Sequence, residues 1–270
     1  MKKIFYPLLI ILLVVQFISC NKQNKRQPAG KVPTYKMFSF ERKTGDCDSI
    51  KNSCAELKFN YPQITDASNK EAMNQINQEI MNTLLAPYGE DKTFSNFDSM
   101  ANDFLESFKE FKRQFPDRHQ SWTIDRNISV SGVNSSVFSL TRIEFYYMGG
   151  AHPNTITSLI NFNLQTGEAF ELDDLFKPGF EDALNKVGEK IFREKQKLKP
   201  DENLNDAGYW FDNNHFELND NFLIKKNGLE FVFNPYEIAA YVYGAIEVFI
   251  PYKEIKDLIK DDGVLSSYIQ

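Results

Sequence analysis

Hydrophobic and polar positions alternate along two stretches on either side of Gly149-Gly150. Val137 to Phe145 and Thr155 to Leu164 are rich in β-branched and aromatic residues with a period of two, which predicts two strands meeting at a tight reversal. Glycine suits the reversal because positive φ strains any residue that carries a side chain. Trp122 to Val130 alternates in the same way, so that with 136–147 and 155–164 it predicts an antiparallel meander. Two earlier strands are expected at Tyr35 to Phe40 and Glu56 to Tyr61, the second ended by Pro62.

Elsewhere the period changes to that of a helix. Ala72, Met73, Ile76, Ile80, Leu84 and Leu85 share one face of a helix expected to be capped by Asp66 or Ser68. Phe97, Phe104, Phe108, Phe111 and Phe115 stripe a second helix over Ser95 to Phe115, read as core rather than as a ligand groove. A short apolar element is expected at Phe170 to Phe176, a third helix from Phe180 to Lys197, and a solvated polar loop from Lys195 to Asn205. Asp220 to Lys226 and Leu229 to Phe233 flank a Lys-Asn-Gly turn and read as a hairpin. Ala245 to Ile250 is a last core strand, and Pro251 opens a helix from Tyr252 to Ile259. The fold class expected is α+β, an antiparallel sheet meander covered by helices, in two intimately packed halves at 35–133 and 134–270.

The N-terminus changes the picture from a globular body to a delivered one. Lys2 and Lys3 precede an apolar run from Ile4 through Ile18, too short to span a bilayer comfortably, and Phe17-Ile18-Ser19-Cys20 resembles a bacterial lipobox. Residues 1–19 are therefore expected to be a lipoprotein signal, Cys20 the acylated first residue of the mature chain, and 20–34 a flexible polar tether. An ordinary secreted protein or an uncleaved anchor helix is the alternative. The expected location is extracytoplasmic and membrane-anchored, on a face the sequence leaves open. Removing Lys2 and Lys3 moves the formal charge from −6 to −8, which argues against nucleic acid as a partner. Outside the cytoplasm Cys47 and Cys54 are expected to form a disulfide, worth about 2–3 kcal/mol for so short a loop. Two thiols and the scattered His119, His152 and His215 do not make a zinc set, and no metal or cofactor is expected.

Between Tyr147 and Leu175 the motifs become specific. Gly149-Gly150-Ala151-His152, then Thr166-Gly167-Glu168, Leu172-Asp173-Asp174-Leu175-Phe176, Tyr236-Glu237-Ile238-Ala239-Ala240-Tyr241-Val242-Tyr243-Gly244 and Ile250-Pro251-Tyr252 occur in the order of the RsiV-type extracytoplasmic domain, a domain of unknown function that this half resembles. Upstream, Tyr61-Pro62-Gln63-Ile64 followed by Ile76-Asn77 resembles the PdaC-type domain that often precedes it. The resemblance implies an envelope domain with no assigned activity of its own. Such domains occur in a lysozyme-sensing anti-sigma factor and in a peptidoglycan deacetylase whose chemistry lies in a separate domain. Neither an anti-sigma segment nor a deacetylase domain is expected here, so the implied role is binding or structural.

The candidate chemistry is correspondingly thin. His152 with Asp173 or Asp174 could form a general-base pair, and Glu144 with Glu247 is one of many conceivable carboxylate pairs, but no nucleophile motif accompanies either. No catalytic residue is assigned. Gly149, Gly150, His152, Asn154, Tyr236, Tyr241 and Tyr243 are the expected binding rim, since loops on a rigid sheet commonly carry function; both segments can equally be turns that shape the fold. The function expected is a monomeric, lipid-anchored module binding a lysozyme-type muramidase or peptidoglycan, with a hydrolase of envelope polymers as the alternative. An acidic body would favour encounter with the strongly basic muramidases.

Overall fold

The structure, a computed structural model, describes residues 30–47, 53–88 and 92–269. The expected signal, the lipidation site Cys20 and most of the tether lie outside those residues. Among the described residues, no helix is long and apolar enough to cross a membrane.

The first layer is a five-stranded sheet in the order β1 (Thr34–Asp46), β2 (Ser53–Asp66), β3 (Trp122–Val133), β4 (Val137–Tyr147) and β5 (Asn154–Asn163). The meander holds for β3 to β5, whose pairs are antiparallel, whereas β2 and β3 run parallel over Ala55–Asn60 and Trp122–Asn127. A parallel pair needs a long crossover. Helices α1 (Lys70–Leu84) and α2 (Phe97–Gln114) supply it and cover one sheet face. They bury Ile76, Ile80, Leu84, Met100, Phe104 and Phe108 against Leu57, Phe59, Ile124 and Phe138, so the phenylalanine stripe is core for most of its length. Phe115, at its end, is exposed.

Two of the local expectations in this layer are corrected and one is met. The cap of α1 is Asn69, whose side chain accepts from the N–H groups of Glu71 and Ala72 at 3.0 and 3.2 Å. Asp66 instead takes Lys31 and Lys70, and Ser68 accepts from the N–H of Lys31. Pro62 does not end β2, which continues to Asp66 opposite β1. The β2–β3 pairing has stopped at Asn60, so the proline stands where its strand is paired on one side only and a missing N–H is tolerated. The disulfide between Cys47 and Cys54 is present, with Cα atoms 5.1 Å apart, and staples the β1–β2 hairpin.

The second layer is an antiparallel sheet of β6 (Phe222–Ile224), β7 (Gly228–Phe233) and β8 (Ile246–Pro251). Against it lie α3 (Leu172–Leu175), α4 (Glu181–Gln196) and α5 (Tyr252–Ile255), around a core of Phe192, Phe216, Phe231, Phe233, Val248 and Ile250. The last helix is shorter than expected, because Ile259 is drawn into an extended bridge with Phe176. The 195–205 stretch is not merely solvated: Leu204 is fully buried, and Arg193 donates to the carbonyls of Lys199 and Glu202. The division expected at 133/134 falls in the β3–β4 turn, inside one sheet. Apart from Val137 of β4, which packs into the second core, the two main cores change over further along, between Leu164 and Leu175.

Side-chain amides join the layers. The outer edge of β5 would leave the backbone groups of Thr157 and Leu159 unpaired, which is costly when buried. Asn234 accepts from Thr157 N–H at 2.7 Å and donates to Thr157 O at 3.0 Å. Asn221 accepts from Leu159 N–H at 2.7 Å and donates to the carbonyls of Thr157 and Val232. In the reverse direction Asn161 of β5 accepts from Ile224 N–H and donates to Phe222 O, both at 2.8 Å, and also accepts from Ser139 Oγ. A primary amide can imitate a peptide group because it carries both donor and acceptor.

The other buried polar anchor is Arg126, 1% exposed. Its Nε donates to Glu144 at 2.6 Å, and Nη1 donates to the carbonyls of Leu84 and Ala86 at 2.6 and 2.7 Å. The guanidinium thereby closes the C-terminal end of α1, where carbonyls lack intrahelical partners. Burial lowers its pKa and Glu144 opposes that shift, leaving a charged pair inside the fold.

Candidate functional site

The β4–β5 hairpin emerges at one end of the first sheet. Gly149 and Gly150 have φ of +99° and +113°, the left-handed geometry expected of the reversal. A side chain at Gly149 would also strike Gln120, which donates to Met148 O at 3.2 Å. Tyr147 Oη donates to Gly150 O, so the hairpin is braced by its own flanks. Asn154 is exposed at the first position of β5, opposite Tyr146.

A second loop meets it from the other layer. After β7, Asn234 and Glu237 bond each other in a tight turn, and Tyr236 between them sits at φ +70°. This is a costly conformation for a residue with a bulky side chain. The chain then forms a short 3-10 turn at Tyr241–Tyr243, ended by Gly244 at φ +67°.

The two loops converge on His152. Its ring stacks on Tyr241 with centroids 3.9 Å apart and planes 19° apart, and its Nε2 lies 3.0 Å from Tyr236 Oη. Nδ1 lies 2.9 Å from Pro153 O; a carbonyl can only accept, so Nδ1 carries the proton and in the neutral ring Nε2 accepts from the tyrosine hydroxyl. Tyr241 Oη donates to the same Pro153 carbonyl at 3.0 Å, and the Tyr236 and Tyr241 rings are 5.6 Å apart. The cluster is a surface feature: Tyr236 is 52% and Val242 86% exposed. Tyr243, 48% exposed, does not touch His152; its ring packs 5.7 Å from buried Tyr209 and extends the aromatic surface away from the hairpin. The neighbouring Trp210 is also exposed, whereas Tyr209 and Phe211 on either side of it are buried.

The structure thus brings together His152, Tyr236 and Tyr241 and leaves Gly149 and Gly150 as the scaffold beneath. It does not bring together the conceivable acid–base pairs. His152 faces a carbonyl and a phenol, while Asp174 caps α3 at Glu171 N–H and the Asp173 carbonyl accepts from Lys260. Glu144 is committed to Arg126, and Glu247 lies in the other sheet beside Lys195. Among the described residues no three His, Cys, Asp or Glu side chains converge as metal donors.

Charge is unevenly spread around this frame. A cavity of about 450 Å3 at the start of α4 is walled by Glu171, Asp173, Glu181, Glu217 and Asp220 over an apolar floor. Nothing in the sequence marks it, since its acids come from three separate segments with no shared motif.

Comparison with known proteins divides the chain in two. Residues 49–155 match the family model described as Deacetylase PdaC, and residues 173–253 match that described as Protein of unknown function (DUF3298). The first match carries the hairpin with it, and the Tyr236–Gly244 loop falls in the second. The aromatic cluster is therefore built by one residue from the first match and two from the second. Over 176 residues the chain is 26% identical to the peptidoglycan-N-acetylmuramic acid deacetylase PdaC of Bacillus subtilis. That alignment takes 62% of this chain and 37% of the relative, so the chain spans well under half of the relative's length. A crystal structure of a DUF3298-family protein from Bacteroides fragilis superposes with a TM-score of 0.71 at 16% identity, covering 90% of this chain and 99% of that one. Another from Pseudomonas aeruginosa gives 0.64 at 16% identity, covering 84% and 94%. The fold of nearly the whole chain is thus that of DUF3298 proteins.

Proposed function

We propose that this protein is an extracytoplasmic binding module of the cell envelope, and that the surface formed by His152, Tyr236 and Tyr241 is where it meets its ligand, peptidoglycan or a lysozyme-type muramidase. The observation that carries the reading is Tyr236: a large ring held outward at positive φ, against the backbone's preference, and tied to a histidine from the other layer. Strain of this kind persists where the surroundings over-determine it, which is common at binding sites. Exposed, pre-ordered aromatic rings lose little entropy on binding and offer flat apolar area to a sugar ring or a protein side chain. The similarity to a peptidoglycan deacetylase supports an envelope setting. The leader and Cys20 support delivery there as a lipoprotein.

The test is biolayer interferometry of the purified protein against peptidoglycan fragments and a lysozyme-type muramidase, at low and high salt. Saturable binding weakened at least tenfold by Tyr236→Ala and Tyr241→Ala is the expected result. Binding that survives both substitutions, or no binding to either ligand, refutes the assignment of the surface. Cys20→Ser is expected to move the protein from the membrane fraction to the soluble one, and a variant that stays in the membrane contradicts the lipid anchor. A hydrolase is the second reading, favoured by the deacetylase relative; acetate released from peptidoglycan by the purified chain would establish it.

A further inference from the structure

Two neighbouring cavities, of about 560 and 510 Å3, share Lys226, Asn227, Phe249 and Tyr268 and so form one groove beside the β6–β7 turn. Lys225, Lys226, Lys253 and Lys256 stand in its walls, and among the described residues no Asp or Glu does. This runs against a chain with 37 acidic residues to 31 basic ones, and it is the reverse of the acidic cavity near α4. Lys225 is engaged by Glu230 at 2.5 Å, and Lys253 lies 3.6 Å from Glu254. Lys226 and Lys256 have no acidic partner among the described residues.

The floor between these ammonium groups is aromatic. Phe249 is 38% exposed, yet its position is set: a Cβ at Gly228 would come within 2.8 Å of its ring, so glycine is what lets the ring lie over the β6–β7 turn. Tyr252 and Tyr268 pack 5.8 Å apart, and Tyr268 Oη accepts from Asn134 at 2.6 Å. A fixed apolar floor beneath unpaired cations matches a ligand that carries anionic groups on an apolar body, because lysine is a point charge that takes carboxylates without demanding a planar geometry. The groove is concave and of the size that encloses a few residues of peptide. A flat anionic membrane surface would meet the lysine tips but could not reach the floor.

We infer that this groove binds a short acidic peptide, with its carboxylates on Lys226 and Lys256 and an apolar side chain on Phe249. The site shares no residue with the His152 surface and stands or falls independently of it.

Fluorescence polarisation of the purified protein with a labelled Asp-Phe-Glu-Leu peptide, beside its Asn-Phe-Gln-Leu counterpart, tests the inference. Saturable binding of the acidic peptide is expected, at least tenfold tighter than the neutral one and weakening as salt is raised. K226Q/K256Q should weaken it at least tenfold, and Phe249→Ser several-fold, with thermal melts confirming that both variants are folded. Equal affinity for the two peptides, or an acidic-peptide affinity unchanged in K226Q/K256Q, overturns the inference. So does binding to phosphatidylglycerol vesicles in the absence of any peptide binding, which would assign the lysines to a lipid surface.

Discussion

Beside the apolar packing of Leu159 on Leu223 and Val232, two contacts tie the β4–β5 unit to the C-terminal layer, and they reverse the ordinary distribution of polarity. The inner one is made of asparagines, Asn161 buried and Asn221 and Asn234 half-buried, with their hydrogen-bonding capacity largely filled by backbone groups of Phe222, Ile224, Thr157 and Leu159. The outer one is made of aromatic rings, with His152 and Tyr236 exposed to water and Tyr241 half-buried between them and the fold. Direction explains the first. Apolar packing is indifferent to register, whereas an amide that must meet one N–H and one C=O fixes how the layers are set against each other. Availability explains the second: an apolar ring left partly in solvent contributes little to folding but remains open to a partner. Position is held on the inside, and the outside carries the surface proposed for recognition.

The sharpest way to break this comparison is to remove buried polar groups and see whether stability, rather than binding, responds. Arg126→Met should cost the most, about 3–5 kcal/mol in a urea titration, because Glu144 and the carbonyls at the end of α1 lose their shared cation. Asn161→Ala should follow at about 3 kcal/mol, since Ile224 N–H and Phe222 O are left unpaired in the seam. Whatever folds should bind envelope ligands as the parent does; a variant that keeps its stability but loses binding would show that the seam, not the surface, is the site. Tyr236→Ala is the mirror image, with binding lost and a stability change below about 1 kcal/mol. Tyr236→Gly should be no less stable than Tyr236→Ala, because glycine accepts φ +70° without strain.

The smallest effects are electrostatic and lie away from both contacts. Lys31 and Lys70 hold the Asp66 carboxyl at about 2, below its unfolded value. Its contribution is therefore present above the ordinary carboxylate range and is lost as pH falls towards 2. Asp125 on the open sheet face behaves oppositely: burial raises its pKa, Lys58 lowers it and Glu56 raises it, for a net upward shift. Stability should decline as pH rises from the ordinary carboxylate value through the raised one. Asp125→Asn should remove that decline while changing the neutral-pH midpoint by no more than about 0.5 kcal/mol, which parallel melts of the two proteins would read out.

Period and turn chemistry made much of this architecture legible. The β3–β5 meander, both amphipathic helices of the first layer and the Gly149-Gly150 reversal follow from spacing alone, because burial on one side of a strand or helix repeats in the sequence. The reach of β2 past Pro62 was not legible, since it depends on where the neighbouring strand stops. Nor was the cap at Asn69, because Asp66, Ser68 and Asn69 are all able to cap and only the chain path chooses among them. In the candidate site, His152 and the Tyr236–Gly244 segment were visible as separate motifs, but 84 residues separate His152 from the hydroxyl it meets. The acidic cavity and the lysine groove carry no motif, being gathered from segments with nothing in common but their place in the fold.

By itself, then, the sequence determined which segments become strands and helices, where the chain must reverse at glycine, and which two cysteines are near enough along the chain to pair. These are local matters, decided by propensity, periodicity and short-range geometry. Only the tertiary structure decided that β2 and β3 run parallel, that Arg126 closes a helix begun 56 residues earlier, and that three asparagines stand in for a missing strand. It also decided that His152 and Tyr241 stack while Tyr243 turns away. Long-range contacts of this kind depend on how layers pack, and packing is a property of all the segments together.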